Sequence, residues 1–140
     1  MRTINTDLIE KILLVNDKFL KFADKNIFNG TELTPTQFNI LWEIILSKEM
    51  LVNELKDKLI ISAPALSQLL NRMEKSWLIT RKLGKLDKRE IKLAPTKKAI
   101  KLYHELNEKY IRLADEKFAD IKEKDKEIMI KFLEYIEKVV

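Results

Sequence analysis

A chain of 140 residues, 46% hydrophobic and 35% charged, is the size of one ordinary domain that can bury a core and solvate its surface; global disorder is excluded. It has no cysteine, one histidine (His104) and two glycines (Gly30 and Gly84), so disulfides, thiolate nucleophiles, His-rich metal clusters within one chain and glycine-rich phosphate loops are excluded. The formal charge of +5 is concentrated: residues 61–92 hold eight basic against three acidic residues, and the remainder is neutral in sum, the pattern of a polyanion-binding segment on a neutral scaffold.

Little Gly and Pro with abundant Leu, Ile, Lys and Glu predicts a mainly α protein. Over residues 6–27, Leu8, Ile12, Val15, Phe19 and Phe22 recur at helical spacing, and Ile9, Leu13 and Leu20 form a second stripe beside them. That apolar surface is wider than a terminal helix of one small domain needs. Asn29-Gly30-Thr31 ends it. Thr34-Pro35 then reads as N-cap and first residue of a helix that buries Phe38, Leu41, Trp42, Ile45 and Leu46. A short helix over 52–59 turns Leu55 and Leu59 inward, and a three-residue turn, 60–62, follows. The next helix starts with Ala63 as cap and Pro64 in the first turn, and runs to Lys75. Leu66, Leu69, Leu70 and Met73 share one of its faces, which leaves Pro64, Gln68, Asn71, Arg72 and Lys75 on or near the opposite one.

Residues 78–82 and 90–93 read as two short strands around the turn Gly84-Lys85-Leu86-Asp87-Lys88, a β-hairpin with a basic tip. Pro95 opens a long helix with Ala99, Tyr103, Leu106, Tyr110 and Leu113 on one stripe, extending to about residue 121. A polar break at 122–125 precedes a last helix carrying Ile128, Met129, Phe132, Leu133, Ile136 and Val139. The longest unbroken apolar run, residues 12–15, is far short of the roughly 20 residues a membrane helix needs. No signal-peptide pattern opens the chain, so the expected compartment is the cytoplasm and no membrane partner is expected.

Helix, short helix, turn, amphipathic helix and basic hairpin is the order of a winged helix-turn-helix. An exposed helix carrying Gln68 and Asn71 suits the major groove, since each amide can pair bidentately with adenine. Arg72 reaches guanine or a phosphate, and Ser62 and Ser67 suit phosphate contacts or an adaptable base contact. The cationic hairpin, with Lys82, Lys85, Lys88 and Arg89, suits the DNA backbone or a minor groove.

The run Leu66-Ser67-Gln68-Leu69-Leu70-Asn71-Arg72-Met73-Glu74-Lys75, the stretch Asp87-Lys88-Arg89 and the segment Leu33-Thr34-Pro35-Thr36-Gln37-Phe38 resemble the MarR family of transcriptional regulators, over nearly the whole chain. The resemblance implies one compact domain: an N-terminal dimerisation helix (1–33), a winged helix-turn-helix (34–94) and C-terminal dimerisation helices (95–140). It also implies a homodimer on double-stranded DNA, binding a near-palindromic operator, usually as a repressor, with relief by a small aromatic inducer. It assigns Ser62, Pro64, Ser67, Gln68, Asn71 and Arg72 to the recognition helix or its entry, and Asp87 and Arg89 to the wing, with the Asp holding the Arg. Four positions depart from the family pattern. Lys56 stands for a small Ala, Trp77 for a Gly that ends the recognition helix, Ala94 for a Thr cap and Lys97 for a frequent Gly.

The aromatic residues Phe19, Phe22, Phe28, Phe38, Trp42 and Tyr110 either line an inducer pocket or fill the core, the commoner use; Phe19, Phe38 and Trp42 are the ligand-pocket candidates. His104, near Glu105 and Glu108, reads as a surface or interface residue rather than a metal ligand. No nucleophile–base pair or acid–base carboxylate couple stands out, so no catalytic residue, metal or cofactor is expected and an enzyme is the remote reading. The alternative to a DNA-binding regulator is a winged-helix module that binds protein.

Overall fold

The computed structural model describes residues 1–140. Its contacts group the chain into two compact units, Met1–Asn107 and Glu108–Val140. The first holds α1 (Ile4–Ala23), a π-helical turn (Asp24–Phe28), α2 (Pro35–Ser47), β1 (Met50–Leu51), α3 (Val52–Lys58), α4 (Ala63–Lys75), β2 (Ile79–Leu83), β3 (Ile91–Pro95) and the start of α5 (Lys97–Lys117). The second holds the rest of α5 and α6 (Glu123–Val139).

Helix starts follow their caps. Thr3 and Thr6 form a reciprocal capping box on α1. At α2 the Thr34 hydroxyl accepts from the Gln37 N–H (3.2 Å), Gln37 Oε1 accepts from the Thr34 N–H (3.0 Å), and Pro35 fills the first turn, as the sequence predicts. At α4 the cap is Ser62, whose hydroxyl accepts from the Ala65 N–H at 3.3 Å; Ala63, the predicted cap, is already helical. The serine hydroxyl offers the helix an acceptor that alanine lacks. The start of α5 is also displaced. Pro95 closes β3 instead of opening the helix, and Thr96 is the cap, its hydroxyl accepting from the Ala99 N–H at 3.1 Å. The helix ends at Lys117, short of residue 121, and the break before α6 falls at 118–122 instead of 122–125.

The core of the first unit is built from α2 (Ile40, Leu41, Ile44), α3 (Leu55), α4 (Leu66, Leu70, Met73), the strands (Met50, Ile79, Leu93) and α5 (Ala99, Tyr103, Leu106), all buried. The predicted inner face of α2 is corrected: Trp42 and Leu46 are exposed, Phe38 and Ile45 half-buried, and Ile40 and Ile44 take the inner positions beside Leu41. Apolar residues encircle this helix, so periodicity alone does not choose a face, and packing of α2 against β3 does. The sheet is antiparallel in the order β1-β3-β2. Its hairpin pairs Ile79 with Pro95, Arg81 with Leu93 and Leu83 with Ile91, while β1 adds the pairs Met50–Leu93 and Leu51–Lys92. The two-residue β1 was not foreseen.

No residue of α1 or α6 is fully buried. Leu8, Ile9, Leu13, Leu14, Val15, Phe19 and Leu20 on α1 are exposed, as are Ile128, Met129, Ile130, Phe132, Leu133 and Tyr135 on α6.

α4 ends in a Schellman motif: the Leu78 N–H reaches the Met73 carbonyl (2.9 Å) and the Trp77 N–H the Glu74 carbonyl (3.1 Å), with Trp77 at φ 59°. A non-glycine residue in this left-handed region is strained by about 1–2 kcal/mol, and the indole is 73% exposed, so packing recovers little. Glycine loses roughly 0.5–1 kcal/mol more backbone freedom on folding. Trp77→Gly is therefore expected to stabilise the fold by about 0.5–1 kcal/mol, read as a higher urea midpoint at unchanged m-value.

Candidate nucleic-acid interface

α3, the turn at 59–62 and α4 form a helix-turn-helix whose buried side is Leu55, Leu66, Leu70 and Met73. The same periodicity turns Pro64, Ser67, Gln68, Asn71, Arg72 and Lys75 outward, and all six are exposed. Ser62 is exposed at the helix entry, with its hydroxyl engaged in the cap.

Beside this helix the β2–β3 hairpin carries Lys82, Lys85, Lys88 and Arg89, also exposed. The tip is fixed by its backbone: the Gly84 N–H donates to the Glu90 carbonyl (2.8 Å) and the Glu90 N–H to the Asp87 carbonyl (3.1 Å). Asp87 Oδ1 accepts the backbone N–H of Arg89 at 2.9 Å, so the carboxylate steadies Arg89 through its main chain and leaves the guanidinium in solvent. A Cβ on Gly84 would lie 2.4 Å from the Asp87 carbonyl oxygen, which explains the glycine. Leu86, in the predicted turn, stands fully exposed between these cations.

Arg81 is the exception among the hairpin's basic residues. It is half-buried, with Nε 3.3 Å from Glu74 Oε2, and so ties the hairpin to α4. Lys92 lies 4.0 Å from Glu49. Arg72, Lys75, Lys82, Lys85, Lys88 and Arg89 make no ion pair and present their full charge outward. Lys56, where a small residue would let α3 and α4 approach, is exposed at the border of a cleft of about 180 Å³ that Val52, Leu66, Ser67, Arg81 and Ile91 also line.

Of the ligand-pocket candidates, Phe38 and Trp42 meet on Tyr103 of α5. Phe38 stacks on it at 4.9 Å between ring centroids, Trp42 lies tilted at 5.9 Å, and Phe28 meets Phe38 edge-on at 5.7 Å. Phe19 lies on α1, 49% exposed. Burial raises the Tyr103 phenol above its ordinary value near 10. His104 packs edge-on against the Tyr103 ring at 5.6 Å. No three His, Cys, Asp or Glu residues are grouped to hold a metal ion, and no helix is long and apolar enough to cross a membrane.

The MarR family model matches residues 31–90, the stretch from the loop before α2 to the end of the hairpin turn. The HTH-type transcriptional regulator YwoH of Bacillus subtilis is 32% identical over 127 residues, which cover 91% of either chain. The chain belongs to the MarR family. As a MarR family member it is a transcriptional regulator and not an enzyme. Solved structures share its winged-helix fold. A mutant MarR from E. coli complexed with operator DNA superposes with a TM-score of 0.82 at 19% identity, covering 96% of this chain and 99% of that one. The organohalide-sensing regulator RdhR in its 2,4-dichlorophenol-bound form gives 0.86 at 20% identity, covering 100% and 83%.

Proposed function

We propose that the protein is a homodimeric, sequence-specific repressor of a near-palindromic operator, with α4 in the major groove and the β2–β3 hairpin as the wing. The observation that carries this reading is one exposed face of α4 that combines two amide side chains with unpaired cations, beside a hairpin whose Lys82, Lys85, Lys88 and Arg89 are equally unpaired. Amides read base edges and cations hold phosphates, which is the division of labour sequence-specific binding needs. Ser62, Pro64, Ser67, Gln68, Asn71 and Arg72 form the reading surface; Lys82, Lys85, Lys88 and Arg89 contact the backbone, and Asp87 shapes the tip.

Residues 34–94 bind DNA, and the helices of 1–33 and 95–140 make the dimer. Their exposed apolar residues support this division, since a lone chain in water leaves that surface uncovered. A small aromatic inducer is the expected effector, on aromatic chemistry of the kind Phe38, Trp42 and Phe19 offer and by analogy with the dichlorophenol-bound regulator. The site of action is the cytoplasm.

Light scattering on the pure protein, alone and with a duplex from its own upstream region at low and moderate salt, tests the reading. The expected result is a particle of about 33 kDa, twice the 16.6 kDa chain, that binds one duplex with an affinity falling steeply as salt rises and resisting competitor DNA. A monomer removes the dimer. A dimer indifferent to DNA moves the function to protein binding.

A further inference from the structure

We propose that Lys98 is a positioning residue for DNA recognition: it fastens the C-terminal end of α4 to the loop that follows the π-helical turn, through Glu32. The Lys98 ammonium donates to the carbonyl of Ser76, the C-cap of α4, at 3.2 Å and lies 2.8 Å from Glu32 Oε2. Ser76 follows the last turn of α4, where helix carbonyls lack intrahelical partners and the helix dipole is negative, so an ammonium there satisfies an acceptor and offsets that charge. One side chain thus joins three segments distant in sequence.

Both ends of the bridge are held. The Thr31 hydroxyl lies 2.8 Å from the Phe28 carbonyl and 3.0 Å from that of Leu33, and Leu33 is buried, so Glu32 projects from a fixed loop. Two residues before Lys98, the Thr96 hydroxyl donates to the Trp77 carbonyl at 2.5 Å and the Thr96 N–H to the Leu78 carbonyl at 3.1 Å, which docks the start of α5 on the same helix end. The far end of α4 is held by the Ser62 cap and by the packing of the buried Leu66. A helix that reads bases must keep its side chains within about 0.5 Å of their productive positions, and the hydrogen bonds from Thr96 and Lys98 help to set its orientation from the C-terminal end.

This inference rests on DNA binding by α4, and it makes a prediction that simple electrostatics reverses. Removing an acidic side chain should strengthen binding of a polyanion if charge alone matters. Removing Glu32 should weaken it if Glu32 holds Lys98 in place. The probe is a fluorescently labelled duplex selected by the wild-type protein from a random-sequence pool, titrated by anisotropy across a salt series. Glu32→Ala and Lys98→Met are each expected to weaken binding about fivefold, the double variant no more than about fivefold, with the salt slope unchanged and Lys98→Arg retaining affinity.

Equal or tighter binding by Glu32→Ala overturns the proposal, as does a salt slope lowered by about one in Lys98→Met, the mark of a direct phosphate contact. Thermal melts by circular dichroism accompany each variant, and if Lys98→Met fails to fold, Glu32→Ala decides alone. A wild-type protein that selects no duplex overturns the DNA-binding reading and this one with it, whereas a wild type that binds alongside unaffected variants overturns this one only.

Discussion

Leu66→Ala lowers the free energy of unfolding by about 3 kcal/mol, measured by urea denaturation of the purified protein. Leu66 is 1% exposed and is the first inward residue of α4 after its cap, so it anchors the helix just where the chain leaves the turn. Truncations of buried leucine span about 2–5 kcal/mol, rising with the void left behind. Leu66 also borders the cleft beside Lys56, so the space vacated opens toward solvent and the upper end of that range is not reached. Against a total of about 5–15 kcal/mol for an ordinary domain, this is a large share. The neighbouring Ser67→Ala, at an exposed position, is expected to stay within about 0.5 kcal/mol of wild type. A loss below about 1 kcal/mol for Leu66→Ala would mean that α4 is held chiefly by its C-terminal end.

The second large effect concerns specificity. Gln68 and Asn71 are three residues apart, on one exposed face of α4, so in the proposed complex they would reach neighbouring base edges from a common side. The double variant Gln68→Ala/Asn71→Ala is expected to bind the selected duplex about a hundredfold more weakly, each bidentate amide–base pair being worth about 1–3 kcal/mol. Affinity for random DNA and the salt slope should hardly change, because neither side chain carries charge. Arg89→Ala should give the complementary signature: a salt slope reduced by about one and weaker binding to every sequence. If the double variant loses random and selected DNA equally, the amides are not the reading groups.

The two faces of α4 were legible in advance because Leu66, Leu69, Leu70 and Met73 keep strict helical spacing among polar neighbours, so one face could be named and the other followed. α2 was less so. With Phe38, Ile40, Leu41, Trp42, Ile44, Ile45 and Leu46 spread around it, only the sheet beneath selects Ile40, Leu41 and Ile44. β1 is two residues long, too short for any alternation to register. The cap of α5 was misread because Pro95 is an equally good helix opener and strand closer in sequence, and the hydroxyl contacts of Thr96 with Trp77 and Ala99 decide between them. Nothing in the sequence links Glu32 to Lys98, since their pairing depends on tertiary placement of a loop and a helix start. That Asp87 holds Arg89 is an expectation of the family resemblance; that its carboxylate engages the Arg89 backbone N–H belongs to the geometry of the turn.

The chain holds two tryptophans, and the fold puts them in contrasting surroundings. Trp42, 42% exposed, leans on Tyr103, while Trp77 stands 73% exposed at the tail of α4. The protein therefore carries two built-in fluorophores, one against the Tyr103 ring and one more open to ionic quenchers. With Trp42→Phe, the remaining emission reports on the end of α4 alone, and with Trp77→Phe it reports on the aromatic cluster at α5. Under the proposed function, occupancy of DNA and of an aromatic effector would become separately visible in unlabelled protein.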